Sequence, residues 1–354
     1  MGDTAASDKH ALTKLVKMKA LELGFAKVGI TSADDFPDHA AELMQREDYQ
    51  ARWCGPKGTN SLLAGCYPRD LFPEGKSIIC LLHAYNDIDF PEKLSKHVGR
   101  VYQNRSYVPT QEQLAGRRLQ AFKDFLSNSG VNIYEGPEEL PARAACFRAG
   151  IVSWGRNNFA RTEENGSFIT LYVLLVDADL DIDEPGRPDA EKGKCPDGCR
   201  ICIDACPTQA MQESGRLEWT KCVLFNNLRG CANIDLREKV GERIHGCDVC
   251  QMVCPRNAKA LAAPKRKDAF REVLTEEFDL EKILVLDDAY YETIVKPIMY
   301  NYIRDFEIFR RNAAVALGNS GDASHLPALT RALELSEDET TRETIAWAIE
   351  KLSR

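Results

Sequence analysis

No stretch of the 354 residues reaches the about 18 consecutive apolar positions needed to cross a bilayer. The first ten residues, MGDTAASDKH, contain no apolar h-region of the kind that opens a secretory signal. The chain is therefore read as cytoplasmic, with no membrane partner. No G-x-G occurs, so the dinucleotide fingerprint is missing. Asp70 to Ser77 (DLFPEGKS) mimics the end of a P-loop, but it lacks the first glycine and leads into an apolar strand rather than a helix, so it reads as a loop. H-E-x-x-H and G-x-S-x-G are also absent. Basic charge is in deficit: 46 Lys+Arg stand against 54 Asp+Glu, for a net charge of −8. A hydrophobic fraction of 44% nevertheless supplies a core and excludes a wholly disordered chain.

Cysteine is abundant, with 13 residues. In a cytoplasmic chain this is not a disulfide framework. Cys54, Cys66, Cys80 and Cys146 are scattered, and read as small core residues. The other nine lie between Cys195 and Cys254. One group is Cys195-x3-Cys199-x2-Cys202-x3-Cys206-Pro207. The other is Cys222, then Cys247-x2-Cys250-x3-Cys254-Pro255. Both end in C-x2-C-x3-C-P, the tail of the bacterial ferredoxin run, in which the last cysteine turns away to the other cluster. Cross-ligation assigns Cys195, Cys199, Cys202 and Cys254 to one [4Fe–4S] cluster, and Cys206, Cys222, Cys247 and Cys250 to a second. Cys231 is the spare. Structural zinc is the competing use of C-x2-C pairs, and eight cysteines in two C-P-terminated runs argue against it. The first group carries one spacer residue more than usual. Either the loop bulges there, or that cluster is labile or lacks an iron.

The rest of the chain reads as α+β. Residues 8–24 form an amphipathic helix closed by Gly24, and 25–31 a short strand. A helix falls within 35–50. Lys76–Ala84 is a buried strand, 110–128 a helix, 131–136 a strand, and Phe168–Val176 the strongest strand. Residues 177–194 hold seven acids, three bases, two prolines and two glycines, and read as a solvated linker. Three domains follow: 1–190 α/β, 191–262 a double-cluster module, and 263–354 helical. The last has helices at 305–317, 323–335 and 340–352, and FRRNAAVALGNSGD resembles a HEAT-type unit. Too few helices are present for a solenoid, so this tail should dock on the body.

Several segments carry a resemblance to the epoxyqueuosine reductase family, and more distantly to the catalytic core of reductive dehalogenases. They are CRICIDACPTQAM (199–211), Lys221-Cys222, RIHGCDVCQMVCPRN (243–257) and RRNAAVALGNSGD (310–322). Weaker likeness extends through LELGFAKVGIT (21–31), ARAACFRAG (142–150), Gly155-Arg156 and GSFITLYVLLVD (166–177). The resemblance implies a nitroreductase-like α/β domain that holds cobalamin base-off, consistent with the missing D-x-H-x-x-G signature of His-on domains. It implies two clusters behind the cobalamin, fed by a low-potential donor such as a ferredoxin or flavodoxin. In the family the substrate is a modified base of a tRNA anticodon.

Carried over residue by residue, the cofactor-binding candidates are Arg143, Gly155, Arg156 and His245. Departures stand beside them. The family's acidic D-S-A-P-like segment is Tyr134-Glu135-Gly136-Pro137-Glu138-Glu139 here, so the proton donor is Glu135 or is missing. The family's Tyr-His pair is Tyr107-Val108. Charge does not favour a tRNA partner, which needs cations for its phosphates. Residues 301–354 carry seven bases and nine acids, and the basic patch is confined to Arg256, Lys259, Lys265, Arg266 and Lys267. The competing function is a ferredoxin-type electron carrier that works without cobalamin. The oligomeric state is not legible.

Overall fold

The computed structural model describes residues 2–46, 61–107, 109–136, 138–183, 195–298 and 304–354. Cys54, Val108 and the ends of the expected 35–50 helix and 177–194 linker fall outside these residues. The chain folds into two compact units that interleave along the sequence, where composition divides it at 190 and 262. The first comprises Met1–Asn86, Val108–Asp197 and Lys259–Leu261. The second comprises Asp87–Tyr107, Gly198–Ala258 and Ala262–Arg354.

The first unit is built on a three-stranded antiparallel sheet, β1 (Lys27–Ser32), β2 (Ser77–Ala84) and β5 (Ile169–Val176), with β2 in the middle. Ile79 pairs with Ile30 on one side and Leu174 on the other. The β2 sequence SIICLLHA is apolar on both faces because both are covered. Ile79 and Leu81 face α1 (Gly2–Glu22) and α3 (Leu114–Asn128), packing with Val16, Ala20, Phe122 and Leu126. Ile78, Cys80 and Leu82 face α2 (Pro37–Met44) and α4 (Ala142–Arg148), packing with Phe36, Leu43, Ala145 and Cys146. This alternation follows from the two-residue period of a strand. Each fully buried Ile or Leu contributes about 2 kcal/mol. Cys66, Cys80 and Cys146 are wholly buried core residues.

Two expectations are corrected. VNIYEG forms no strand and makes one bridge, Ile133 to Val176; beside it, Asp177 draws off the Asn132 N–H with its side chain. Residues 177–183 are not a free linker. Asp179 pairs with Lys9, His10 Nδ1 lies 2.9 Å from Asp181, and Asp183 pairs with Lys17 while accepting the Ile30 N–H at 2.8 Å. The alternating acids strap the chain along α1.

In the second unit, the cysteine-bearing segment packs with helices α8 (Ala269–Glu277), α9 (Leu280–Leu284), α10 (Phe306–Ser320), α11 (Leu326–Leu335) and α12 (Glu339–Leu352). The tail docks through asparagines of α10. Asn312 Nδ2 donates to the carbonyls of Asn227 and Ile244 at 2.8 and 2.9 Å. Asn319 Nδ2 donates to those of Arg237 and Gly241 at 2.8 and 2.9 Å. Among the described residues, no helix is long and apolar enough to cross a membrane.

Candidate functional site

The cysteines of the second unit sit on a repeated local design. A one-turn helix carries the middle cysteine of each run: Cys202 in α5 (Ile201–Asp204) and Cys250 in α7 (Val249–Met252). Each run then leaves the helix at a cysteine followed by proline, which cannot extend a helix. Cys222 stands directly ahead of α6 (Val223–Asn227).

Cys206, Cys222, Cys247 and Cys250 form one electrostatic group. Burial raises the Cys250 thiol well above its ordinary value, and Cys247, Cys222, Cys206 and Cys202 raise it further. Burial pushes Cys247 up to about 11 and also raises Cys222. Main-chain N–H groups point at these sulfurs: Ala210 N lies 3.3 Å from Cys206 Sγ, Leu224 and Phe225 donate to Cys222, and Val249 donates to Cys247. Half-buried sulfurs gathered in this way, with N–H donors directed at them, are suited to act together as thiolate ligands. That donor set fits an iron–sulfur cluster, whose ligands are thiolates that accept N–H bonds. Among the described residues, no three His, Cys, Asp or Glu side chains converge closely enough to share a single metal ion. A cubane does not require that, because each cysteine binds its own iron.

The other expected ligands divide between the units. Cys199, Cys202 and Cys254 belong to the second unit, and Cys195 to the first. Cys231 is 1% exposed, its thiol pushed up to about 12 mainly by burial.

A strap from far upstream shapes the second cysteine run. Gly99 N donates to the His245 carbonyl at 2.8 Å, and Arg100 N donates to Asp248 Oδ2 at 2.8 Å. No motif in residues 87–107 signals this role. His245 has no exposed surface; its ring centroid is 4.2 Å from that of Tyr102. Burial pushes it down to about 3, so it is neutral.

In the first unit, Gly155 and Arg156 lie on a hairpin of β3 (Ser153–Trp154) and β4 (Ala160–Arg161), and Arg143 reaches its loop from α4. Arg143 Nη1 donates to the Asn158 carbonyl at 2.9 Å, where Asn158 has φ +62°. Gly155 is closely approached: a Cβ there would meet Asn157 Oδ1 at 2.7 Å, so the Asn157 side chain would have to shift. Arg156 N donates to Cys195 Sγ at 3.3 Å.

Glu135 lies on the surface, its side chain 63% exposed and paired with Lys123 Nζ at 2.7 and 2.9 Å. Three residues on, Glu138 is 8% exposed and accepts the Tyr134 hydroxyl at 2.7 Å. Burial, with help from Glu138, raises Tyr134 to about 12. Gly136 makes the contact sterically accessible, since a Cβ there would overlap the Tyr134 hydroxyl at 1.7 Å. The EGPEE run shows several carboxylates but not which one is buried.

Residues 194–257 match the family model of a 4Fe-4S double cluster binding domain. Over 342 residues the chain is 30% identical to the epoxyqueuosine reductase of Bacillus cereus, covering 93% of this chain and 86% of the relative. The enzyme of that name from Bacillus subtilis is 28% identical over 356 residues, covering 94% and 86%. The solved epoxyqueuosine reductase from Streptococcus thermophilus superposes with a TM-score of 0.74 at 23% identity, covering 95% of this chain and 89% of that one. A second solved epoxyqueuosine reductase, holding an epoxyqueuosine-modified tRNA-Tyr stem loop, gives 0.69 at 23% identity, covering 97% and 99%. The shared length, the double-cluster segment and the common fold agree: this chain is an oxidoreductase belonging to the epoxyqueuosine reductase family.

Proposed function

We propose that the chain is a cobalamin-dependent reductase in which electrons from a low-potential ferredoxin or flavodoxin pass through two [4Fe–4S] clusters. The observation that carries this is the gathering of Cys206, Cys222, Cys247 and Cys250 with main-chain N–H groups directed at their sulfurs, within a segment that matches a 4Fe-4S double cluster binding domain. Cys195, Cys199, Cys202 and Cys254 hold the other cluster in this reading. When bound, the corrinoid supplies the low-potential cobalt chemistry that reduces the substrate. The chain's own part is to hold and orient. Arg156, beside Gly155 on the hairpin, and Arg143, reaching the same loop from α4, carry guanidinium groups of a kind suited to a corrin's amide and phosphate groups. His245 does not fit a cofactor-contacting role, being sealed among Tyr102 and its neighbours. We assign proton delivery to the loop of Glu135 and Glu138, and favour Glu138 because it is shielded from solvent and already shares a hydrogen bond with the Tyr134 hydroxyl, whereas Glu135 is held at the surface by Lys123.

The substrate is a small molecule or nucleoside. One solved relative holds a tRNA stem loop. Here the net charge is −8, and two cations of the basic patch are already paired, Arg266 with Asp87 and Lys267 with Glu272.

The test is anaerobic reconstitution followed by cobalamin titration, read by visible and EPR spectra. Saturable binding of one corrin beside about eight irons supports the reading. Irons without corrin binding would make the chain an electron carrier. Affinity for tRNA that falls steeply with salt would instead assign the tRNA substrate.

A further inference from the structure

Arg161, on β4, is 4% exposed, and no sequence motif marks it. Its Nη2 lies 3.4 Å from the Trp154 carbonyl and 4.0 Å from Cys195 Sγ. Nε and Nη1 are buried and make no hydrogen bond among the described residues. Among those residues it has no carboxylate partner either. A guanidinium buried in this way is costly unless negative charge faces it. The group within reach that becomes negative on ligating iron is the sulfur of Cys195, which also takes the Arg156 N–H at 3.3 Å. Gly155 helps to make the seat, since a Cβ there would stand 3.2 Å from Arg161 Nη1. Two independent donors, one charged and one from the main chain, thus converge on a single cysteine.

We propose that Arg161 is a positioning residue for the cluster that Cys195 ligates, and that with the Arg156 N–H it raises that cluster's reduction potential above what its cysteines alone would set. The inference rests on the reading above that Cys195 is a ligand. An iron-bound cysteine is a thiolate. One-electron reduction by an external low-potential donor adds a negative charge to the cluster and, in part, to its sulfurs. A cation and an N–H donor beside one sulfur stabilise that reduced form over the oxidised one. The effect falls on one cluster, so it sets a difference between the two along which electrons run.

The experiment uses the full-length protein, reconstituted anaerobically, with iron analysis and an EPR-monitored redox titration using dithionite. In Arg161→Gln, about eight irons remain. One cluster signal moves to lower potential, so that at its original midpoint the reduced-to-oxidised ratio falls about tenfold, or about 59 mV for one electron. The other signal stays in place, and Arg161→Lys recovers most of the shift. Cys195→Ser loses about four irons together with the same signal. Gly155→Ala, which displaces the guanidinium but keeps its charge, shifts that signal partway, and serves if the Gln variant does not fold. Unmoved signals in Arg161→Gln, an equal shift in Arg161→Lys, or a full iron complement in Cys195→Ser would each overturn the proposal. Wild-type protein that takes up no iron would overturn the functional reading itself, and this inference with it.

Discussion

The Tyr134 hydroxyl donates to the buried Glu138 carboxylate across 2.7 Å, directly over a glycine that leaves it room. This pair and the exposed Glu135–Lys123 pair divide the acids of one loop into a dry one and a wet one. Glu138→Gln should lower turnover of the reconstituted enzyme by at least about 100-fold, the scale of a lost general acid. Glu135→Gln should leave it within about twofold, since exposed ion pairs contribute little. Steady-state kinetics of both variants checks this; the reverse order would return the role to Glu135.

Ligand assignment can be checked by iron content. Cys222→Ser should lose about four irons, one cubane's worth. Cys231→Ser should lose none, because that thiol sits 1% exposed against Asn227 Nδ2 at 3.8 Å, as a core group does. Loss of iron in Cys231→Ser would redraw the ligand set.

Asn312→Ala should destabilise the second unit by about 2 kcal/mol. It strands two carbonyls, Asn227 and Ile244, that its amide now satisfies. Chemical denaturation followed by circular dichroism measures this. Because Asn227 follows Cys222 and Ile244 precedes Cys247, both expected ligands of one cluster, faster loss of that cluster on warming should accompany it.

Acid sensitivity should centre partly on Asp338, the N-cap of α12. Hydrogen bonds from Thr341 hold its carboxyl below the ordinary 3.8, the main-chain N–H lying 2.7 Å away. A lowered native value means the stabilisation is full above the unfolded-chain value and is lost as pH falls through the native one. Asp338→Ala should cost about 1 kcal/mol at neutral pH, the usual worth of such a cap. The difference from wild type should shrink in denaturation measured at progressively lower pH below 4, and a constant gap would count against the assignment.

What could be read from the sequence was whatever has a local period or a fixed spacing. FITLYVLLV could be little else than a covered strand, and the cysteine runs announce their chemistry. The three tail helices begin close to where Asp305, Asp322 and Asp338 stand as caps. Features that depend on distant partners were not legible. Gly99 and Arg100 matter through main-chain bonds to His245 and Asp248, some 150 positions later, and main-chain bonding leaves no residue signature. The acidic run 177–183 looks solvated until Lys9, His10 and Lys17 are seen to face it. Arg161 is an ordinary arginine until its burial and its distance from Cys195 are known.

The interleaving of the two units bears on where the chain can be divided. The second unit takes Asp87–Tyr107 from the middle of the first, and its cysteine segment depends on α10 to satisfy the carbonyls of Asn227, Ile244, Arg237 and Gly241. A piece cut at 191 and 262 holds all eight expected ligands yet lacks both supports. Such a piece would leave unsatisfied the carbonyls that α10 now caps, and would lose the Gly99 and Arg100 main-chain bonds to His245 and Asp248.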